Sequence, residues 1–163
     1  MNPLTELEKF TGATHAIACS SGTDALLLAM LAIEIQPCDE IITTPFTFIS
    51  TAETIALMKA KPVFVDIEPD TFNINPSLIE AAITKKTKAI MPVSLFGQPA
   101  DLDSIQTIAS KHNLKVIYDA AHCFGVEYKG QSIFNYGDVS TCSFHATKIF
   151  HTGEGGAFFC NNI

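Results

Sequence analysis

The sequence predicts an α/β fold, a three-layer αβα sandwich built on a mostly parallel sheet of seven strands. Three observations predict it. Seven short apolar runs of five to seven residues recur from end to end, the length of strands. Most are separated by a helical pattern or a long excursion, as parallel neighbours require. The apolar fraction of 47% and mean hydropathy of +0.26 suit a sheet covered on both faces. At 163 residues the chain is the size of one domain and can bury a core.

Residues 1 to 12 read as the end of a helix stopped by Gly12, with Leu4, Leu7 and Phe10 at helical spacing. His15 to Cys19 is the first strand, and Ser20 to Thr23 forms a small-residue turn into a strongly apolar helix. Such a turn is either an anion site, because first-turn N–H groups lack intrahelical partners, or a simple cap by Ser21 or Thr23. Asp39 to Thr44 is the second strand; Phe46 reads as core, and Phe48 lies where a ligand could meet it, before a helix from about Ile49 to Met58. Lys61 to Asp66 is the third strand, and Asn75 and Pro76 start a helix running to Ile83. Thr87 to Val93 is the fourth, with the turn Ser94 to Ala100 and a helix over Asp101 to His112 after it. Lys115 to Asp119 is the fifth; its terminal acid either caps a helix after the strand or faces a ligand, with Ala120, Ala121 and His122 next in the chain. Tyr128 to Tyr136 reads as a turn-rich excursion, and Val139 to Ser143 and Gly156 to Cys160 are the last two strands.

Composition narrows the function. With a net charge of −7 and no basic run beyond Lys85-Lys86, nucleic acid and anionic membrane are poor partners. The longest apolar stretch, Ala25 to Ile33, is too short to span a bilayer. Five widely spaced cysteines without a CxxC pair read as reduced thiols in a cytoplasmic protein, with no metal expected.

The chemistry converges after the sixth strand, on Lys148. It is flanked by Ile149 and Phe150 and lies between two runs that read as buried sheet, a setting that strips hydration from an ammonium and favours the nucleophilic amine. In an open α/β sheet, ligands gather at the carboxyl ends of the strands, where Ser21 to Thr23, Phe48, Asp119, His122, Ser143, His145 and Lys148 all fall. A phosphate-binding turn, a stacking aromatic, an acid and an amine together fit pyridoxal 5′-phosphate (PLP).

The segments SGTDAL (21–26), PFTFIST (45–51), KPVFVDI (61–67), LFGQPADLD (95–103), YDAAHCFG (118–125), GDVSTCSFHATK (137–148) and GEGGA (153–157) carry a resemblance. The chain resembles the DegT/DnrJ/StrS family of PLP-dependent sugar aminotransferases of fold type I over nearly its whole length. The resemblance implies that Lys148 is the Schiff-base lysine and Asp119 the partner of the pyridine nitrogen. It further implies that Gly22, Thr23 and Ser143 contact the phosphate and that Phe48 stacks on the ring. His122 would lie near the ring or its phenolic oxygen, and His145 would lie near the site or serve structurally. The implied reaction moves an amino group from L-glutamate to a nucleotide-linked keto-sugar, with carbon 4 of a 4-keto-6-deoxy sugar preferred. A related group of dehydratases carries histidine where this chain has Lys148, so the lysine points to transamination.

The family's chains are about twice as long as this sequence, which ends at Asn161-Asn162-Ile163. Residues 1–163 are therefore expected to form the PLP-binding large domain, without the family's extreme N-terminal segment and C-terminal small domain. Homodimers are expected of the full-length family, and weak or no activity of this chain alone. A competing reading is a catalytically silent remnant that binds a partner or nucleotide. A dinucleotide binder ranks lower, because no GxGxxG follows the first strand.

Overall fold

The structure is a computed structural model that describes residues 2–161; Met1, Asn162 and Ile163 lie outside them. In chain order it contains α1 (Pro3–Thr11), β1 (His15–Cys19), α2 (Gly22–Ala32), β2 (Glu40–Thr43), α3 (Ser50–Leu57), β3 (Lys61–Phe64) and α4 (Pro76–Ala82). Next come β4 (Thr87–Ile90), α5 (Leu102–His112), β5 (Lys115–Asp119), a small hairpin of β6 (Glu127–Tyr128) and β7 (Gln131–Ser132), β8 (Val139–Ser143) and β9 (Gly156–Cys160). Seven strands form one sheet in the order β1-β9-β8-β5-β4-β2-β3. Only β9 runs against its neighbours, because residues 144–155 return the chain as a hairpin instead of crossing over through a helix.

Strand parity divides the core. On β5, Val116 and Tyr118 join α4, α5 and Phe134 on one face, where the rings of Phe134 and Phe159 lie 4.4 Å apart. Ile117 faces the opposite way, toward a second core with Ala25, Leu26, Ala29 and Met30 of α2 and Ile55 of α3. Asp119 shares the face of Ile117, Ser143 that of Val139, and Gly156 that of Phe158 and Cys160. All three therefore project toward α2 and α3 at one end of the sheet.

Local chemistry explains the ends of the helices. Asn75 accepts the Ser77 N–H at 3.0 Å with Pro76 in the first turn of α4. Asp101 caps α5 through the Ser104 N–H at 3.1 Å. The opening stretch, expected as the end of a helix, forms a short helix with caps of its own: Asn2 accepts the Leu4 N–H at 3.1 Å, and Gly12 closes it at φ +73°. Pro62 sits in β3, an edge strand, the position in a sheet that tolerates proline. The stretch expected as a turn-rich excursion holds the β6–β7 hairpin and a 3₁₀ turn over Ile133–Asn135.

Phe46 departs from expectation. Its aromatic character places it in the core, yet it is 45% exposed and rests on Phe72 with ring centroids 5.7 Å apart. The strand has already ended at Thr43, so the alternation that would turn Phe46 inward no longer applies. Of the cysteines, Cys123, Cys142 and Cys160 are buried, Cys19 is half-buried and Cys38 is exposed; all five are free thiols.

The start of α2 packs against the sheet through two glycines. A Cβ on Gly156 would lie 2.2 Å from the Ser21 carbonyl oxygen, and one on Gly22 would lie 2.7 Å from Ser143 Cβ. Gly156→Ala is expected to destabilise the fold by about 2 to 3 kcal/mol, read as a lower midpoint in urea, because backbone and not a flexible side chain must yield. An unchanged midpoint would contradict this packing.

Candidate functional site

A cleft of about 440 Å³ opens at the carboxyl ends of the parallel strands, floored by Asp119 and Ser143. Its wall on one side is the first turn of α2. Ser21 accepts the Asp24 N–H at 3.1 Å and so caps the helix. The N–H groups of Gly22 and Thr23 find no acceptor among the described residues and remain at the positive end of the helix dipole. The cap uses the Asp24 N–H and leaves those of Gly22 and Thr23 open, so capping and an anion site, alternatives from sequence, do not exclude one another. The absence of a side chain at Gly22 brings these donors against Ser143, which is 8% exposed and keeps its hydroxyl on the cleft.

Asp119 is held on every side. Its backbone N–H donates to Pro92 O at 2.9 Å, and its carbonyl accepts the Ser94 N–H at 3.0 Å. The carboxylate receives the Thr51 hydroxyl at 2.8 Å on Oδ2 and the Ala121 N–H at 3.3 Å on Oδ1. Thr51 in turn bonds the Thr47 hydroxyl at 2.8 Å. Burial pushes the Asp119 carboxyl above its usual value; the Thr51 and Ala121 donors and the His122 and Lys148 charges oppose that rise. The chain after Asp119 enters a turn and not a helix, so the capping alternative falls away.

His122 takes the Phe96 N–H on Nδ1 at 3.2 Å, and burial, with the Lys148 charge adding, moves its pKa down. The ring of Phe96 lies 6.4 Å from that of His122.

The loop between β8 and β9 carries Lys148. Phe144 donates its N–H to Gly155 O at 2.8 Å and Ala146 to Gly153 O at 2.9 Å, so the hairpin ladder runs past the formal strand ends. Lys148 N–H then closes a turn onto His145 O at 2.9 Å. Lys148 is half-buried, lines the cleft, and lies near enough for its charge to act on both Asp119 and His122. The flanking residues behave differently from expectation. Ile149 is 81% and Phe150 45% exposed, so the partial burial of Lys148 comes from the cleft and not from its apolar neighbours. Phe150 instead stacks on Phe124 at 4.5 Å, which stacks on Phe10 of α1 at 4.9 Å. His145 is bound through Nδ1 to the Thr147 hydroxyl at 2.9 Å, and its Nε2 faces Glu154 at 3.5 Å.

Gly22, Thr23, Phe48, Asp119, His122, Ser143, His145 and Lys148 all line this one cleft, Phe48 from the rim at 71% exposure. Thr51, Asn73 and Glu154 do not stand out individually in the sequence. Thr51 belongs to the run PFTFIST, one turn after Thr47 at the start of a helix, the only signal it offers. Asn73 is 2% exposed; its amide donates to Gln98 O and Pro99 O, both at 3.1 Å, and its oxygen accepts the Leu95 N–H at 3.0 Å. No local pattern marks a residue that acts on a turn more than twenty positions away.

Known proteins share this arrangement of elements. The chain is 51% identical over 164 residues to a UDP-2-acetamido-2-deoxy-3-oxo-D-glucuronate aminotransferase of Pseudomonas aeruginosa, covering 98% of this chain and 46% of that protein. It is 51% identical over 157 residues to a dTDP-4-amino-4,6-dideoxy-D-glucose transaminase of Shigella dysenteriae, covering 96% of this chain and 42% of that protein. A Bacillus subtilis protein whose crystal structure holds the bound cofactor PMP superposes with a TM-score of 0.91 at 39% identity, covering 96% of this chain and 35% of that one. The chain thus spans under half the length of each of these relatives. A sequence model of one family matches residues 5–163, and the chain belongs to that family, the DegT/DnrJ/EryC1/StrS aminotransferases.

Proposed function

We propose that this chain is the PLP-binding large domain, residues 1–163, of an aminotransferase that moves an amino group from L-glutamate to a nucleotide-linked keto-sugar. The observation that carries the reading is the meeting of a buried carboxylate, Asp119, and an amine, Lys148, in the same cleft as an uncovered helix N-terminus. The residues fit the cofactor. Side chains at Gly22 and Gly156 would displace the α2 turn from Ser143, and their absence leaves a cradle of N–H and hydroxyl donors for a phosphate. A carboxylate that burial makes costly to ionise is stabilised by a protonated ring nitrogen set against it.

Bound there, PLP would supply an aldehyde for amine exchange and a ring that accepts electrons. Lys148 Nζ is the amine that would hold the aldehyde and, when free, would serve as the base and acid that moves a proton at the reacting carbon. Asp119 would keep the ring nitrogen protonated, and Thr51 holds the carboxylate in place for that task. Gly22, Thr23 and Ser143 would bind the phosphate, and Phe48 would cover one face of the ring. His122 would border the ring, while His145 steadies the lysine loop through Thr147 and Glu154.

Carbon 4 of a 4-keto-6-deoxy sugar is our reading of the acceptor, supported by the DAAH and SFHATK runs and by the name of the Shigella relative. The exposed Phe48, Ile49, Phe46 and Phe72 support a homodimer that covers them. A cytoplasmic site of action accords with the net charge and the thiols; no helix among the described residues is long and apolar enough to cross a membrane.

Addition of PLP, borohydride reduction and peptide mapping are expected to place the label on Lys148, and Lys148→Ala to abolish it. Labelling elsewhere, or none at saturating PLP, favours the silent-remnant reading. Gly22→Ala is expected to weaken PLP binding about tenfold or more, read by fluorescence titration, because its Cβ meets Ser143. The raised Asp119 carboxyl means that the folded state holds this proton more tightly than the unfolded chain. Stability therefore falls as pH rises through the window that starts near the ordinary value of 3.8. Asp119→Asn is expected to flatten that part of the profile and leave the melting temperature at neutral pH at or above that of the parent, while PLP binding weakens. A lower melting temperature at neutral pH would contradict this account.

A further inference from the structure

We propose that the backbone turn at Phe96 locks His122 as the tautomer with its proton on Nε2, making the ring a fixed hydrogen-bond donor in the cleft. The Phe96 N–H points at Nδ1 from 3.2 Å, so Nδ1 must offer a lone pair, and the ring proton of the neutral imidazole is left on Nε2. A second proton cannot enter at Nδ1 without losing that bond.

The turn that aims this N–H is unusual in its backbone. Phe96 adopts φ +55° and ψ +24°, the left-handed region that a bulky residue rarely occupies, and its side chain is 71% exposed, so ring burial does not compensate for the conformation. The surroundings hold it there. Asn73 clamps both flanks by accepting the Leu95 N–H and donating to Gln98 O and Pro99 O. Ser94 N–H is tied to Asp119 O at 3.0 Å, and Gln98 N–H to Leu95 O at 2.8 Å. On the far side, a Cβ at Gly97 would lie 3.5 Å from the His122 carbonyl oxygen, so the turn rests on the backbone of the residue it orients. Phe96 and Asn73 are thus positioning residues, both acting through His122. The value of a fixed donor to an anionic cofactor oxygen rests on the function proposed above; the tautomer itself does not.

The test is made without PLP, so that failure of cofactor binding leaves it intact. Nitrogen-15 NMR of histidine-labelled protein at about pH 8, where unperturbed imidazoles are neutral, reports which nitrogen carries the proton. The chain has five histidines, and His122→Gln identifies the relevant signal by its loss. His122 is expected as a single Nε2–H tautomer. Replacing Phe96 with its α-hydroxy acid analogue, which turns the donor N–H into an ester oxygen and keeps the ring, is expected to give a mixture of tautomers. Phe96→Gly, which keeps the N–H and accepts the same φ, is expected to retain the Nε2–H form. A mixture or an Nδ1–H form in the parent protein overturns the proposal. So does an unchanged spectrum with the ester, or loss of the tautomer in Phe96→Gly with retention in the ester.

Discussion

The site depends on one close approach: the first turn of α2 lies directly against the ends of β8 and β9. Gly156 leaves room for the Ser21 carbonyl, and Gly22 leaves room for Ser143. Without that approach the two uncapped N–H groups would face open solvent, and the hydroxyl of Ser143 would be left with the His145 N–H as its partner. With it, a helix end and a strand end share a few ångströms of space, and their donors converge. The interaction is steric and not attractive, which is why it falls on residues with almost no side chain.

Around this contact the sheet acts as a ruler. Strand parity puts Asp119, Ser143 and Gly156 on one face, and parallel pairing of β5 with β8 brings their carboxyl ends together. Asp119 then gains a second layer of control from α3, where Thr51 reaches its carboxylate and is braced by Thr47. Lys148 comes from a different device, a hairpin whose two legs are anchored in the sheet while its tip, with Ile149 exposed, reaches outward. A rigid acid and an amine on a tethered tip suit a reaction in which one group holds a charge and the other must move.

Much of this is legible in the residues. The seven strands and the gathering of Asp119, Ser143 and Lys148 at strand ends arise from short-range patterns, because apolar runs and helix caps are local, whereas the face each strand residue takes emerges from the packed sheet. The direction of β9 is not among them: an apolar run looks the same in either orientation, and only the ladder reveals that β9 opposes β8. Phe46 misleads because aromatic character suggests burial while its place after the end of β2 decides otherwise. Ile149 and Phe150 mislead in the same way, since the first faces solvent and the second joins a stack with Phe124 and Phe10. Asn73 and Thr51 are hidden because their partners are distant in the chain, and a polar residue in a loop or a helix start carries no mark of what it will touch.

Pro62 has a consequence for the molecule as a whole. In β3 the N–H groups of Lys61 and Val65 point inward, to Asp39 O at 2.8 Å and Thr43 O at 2.8 Å, so the intervening even-numbered nitrogens face outward. The imide nitrogen of Pro62 falls in that outward set, where it costs the sheet no rung. A foreign strand trying to extend the sheet at this margin would meet a missing donor and a pyrrolidine ring. The same residue that fits the interior pairing without loss therefore discourages edge-to-edge aggregation of newly made chains.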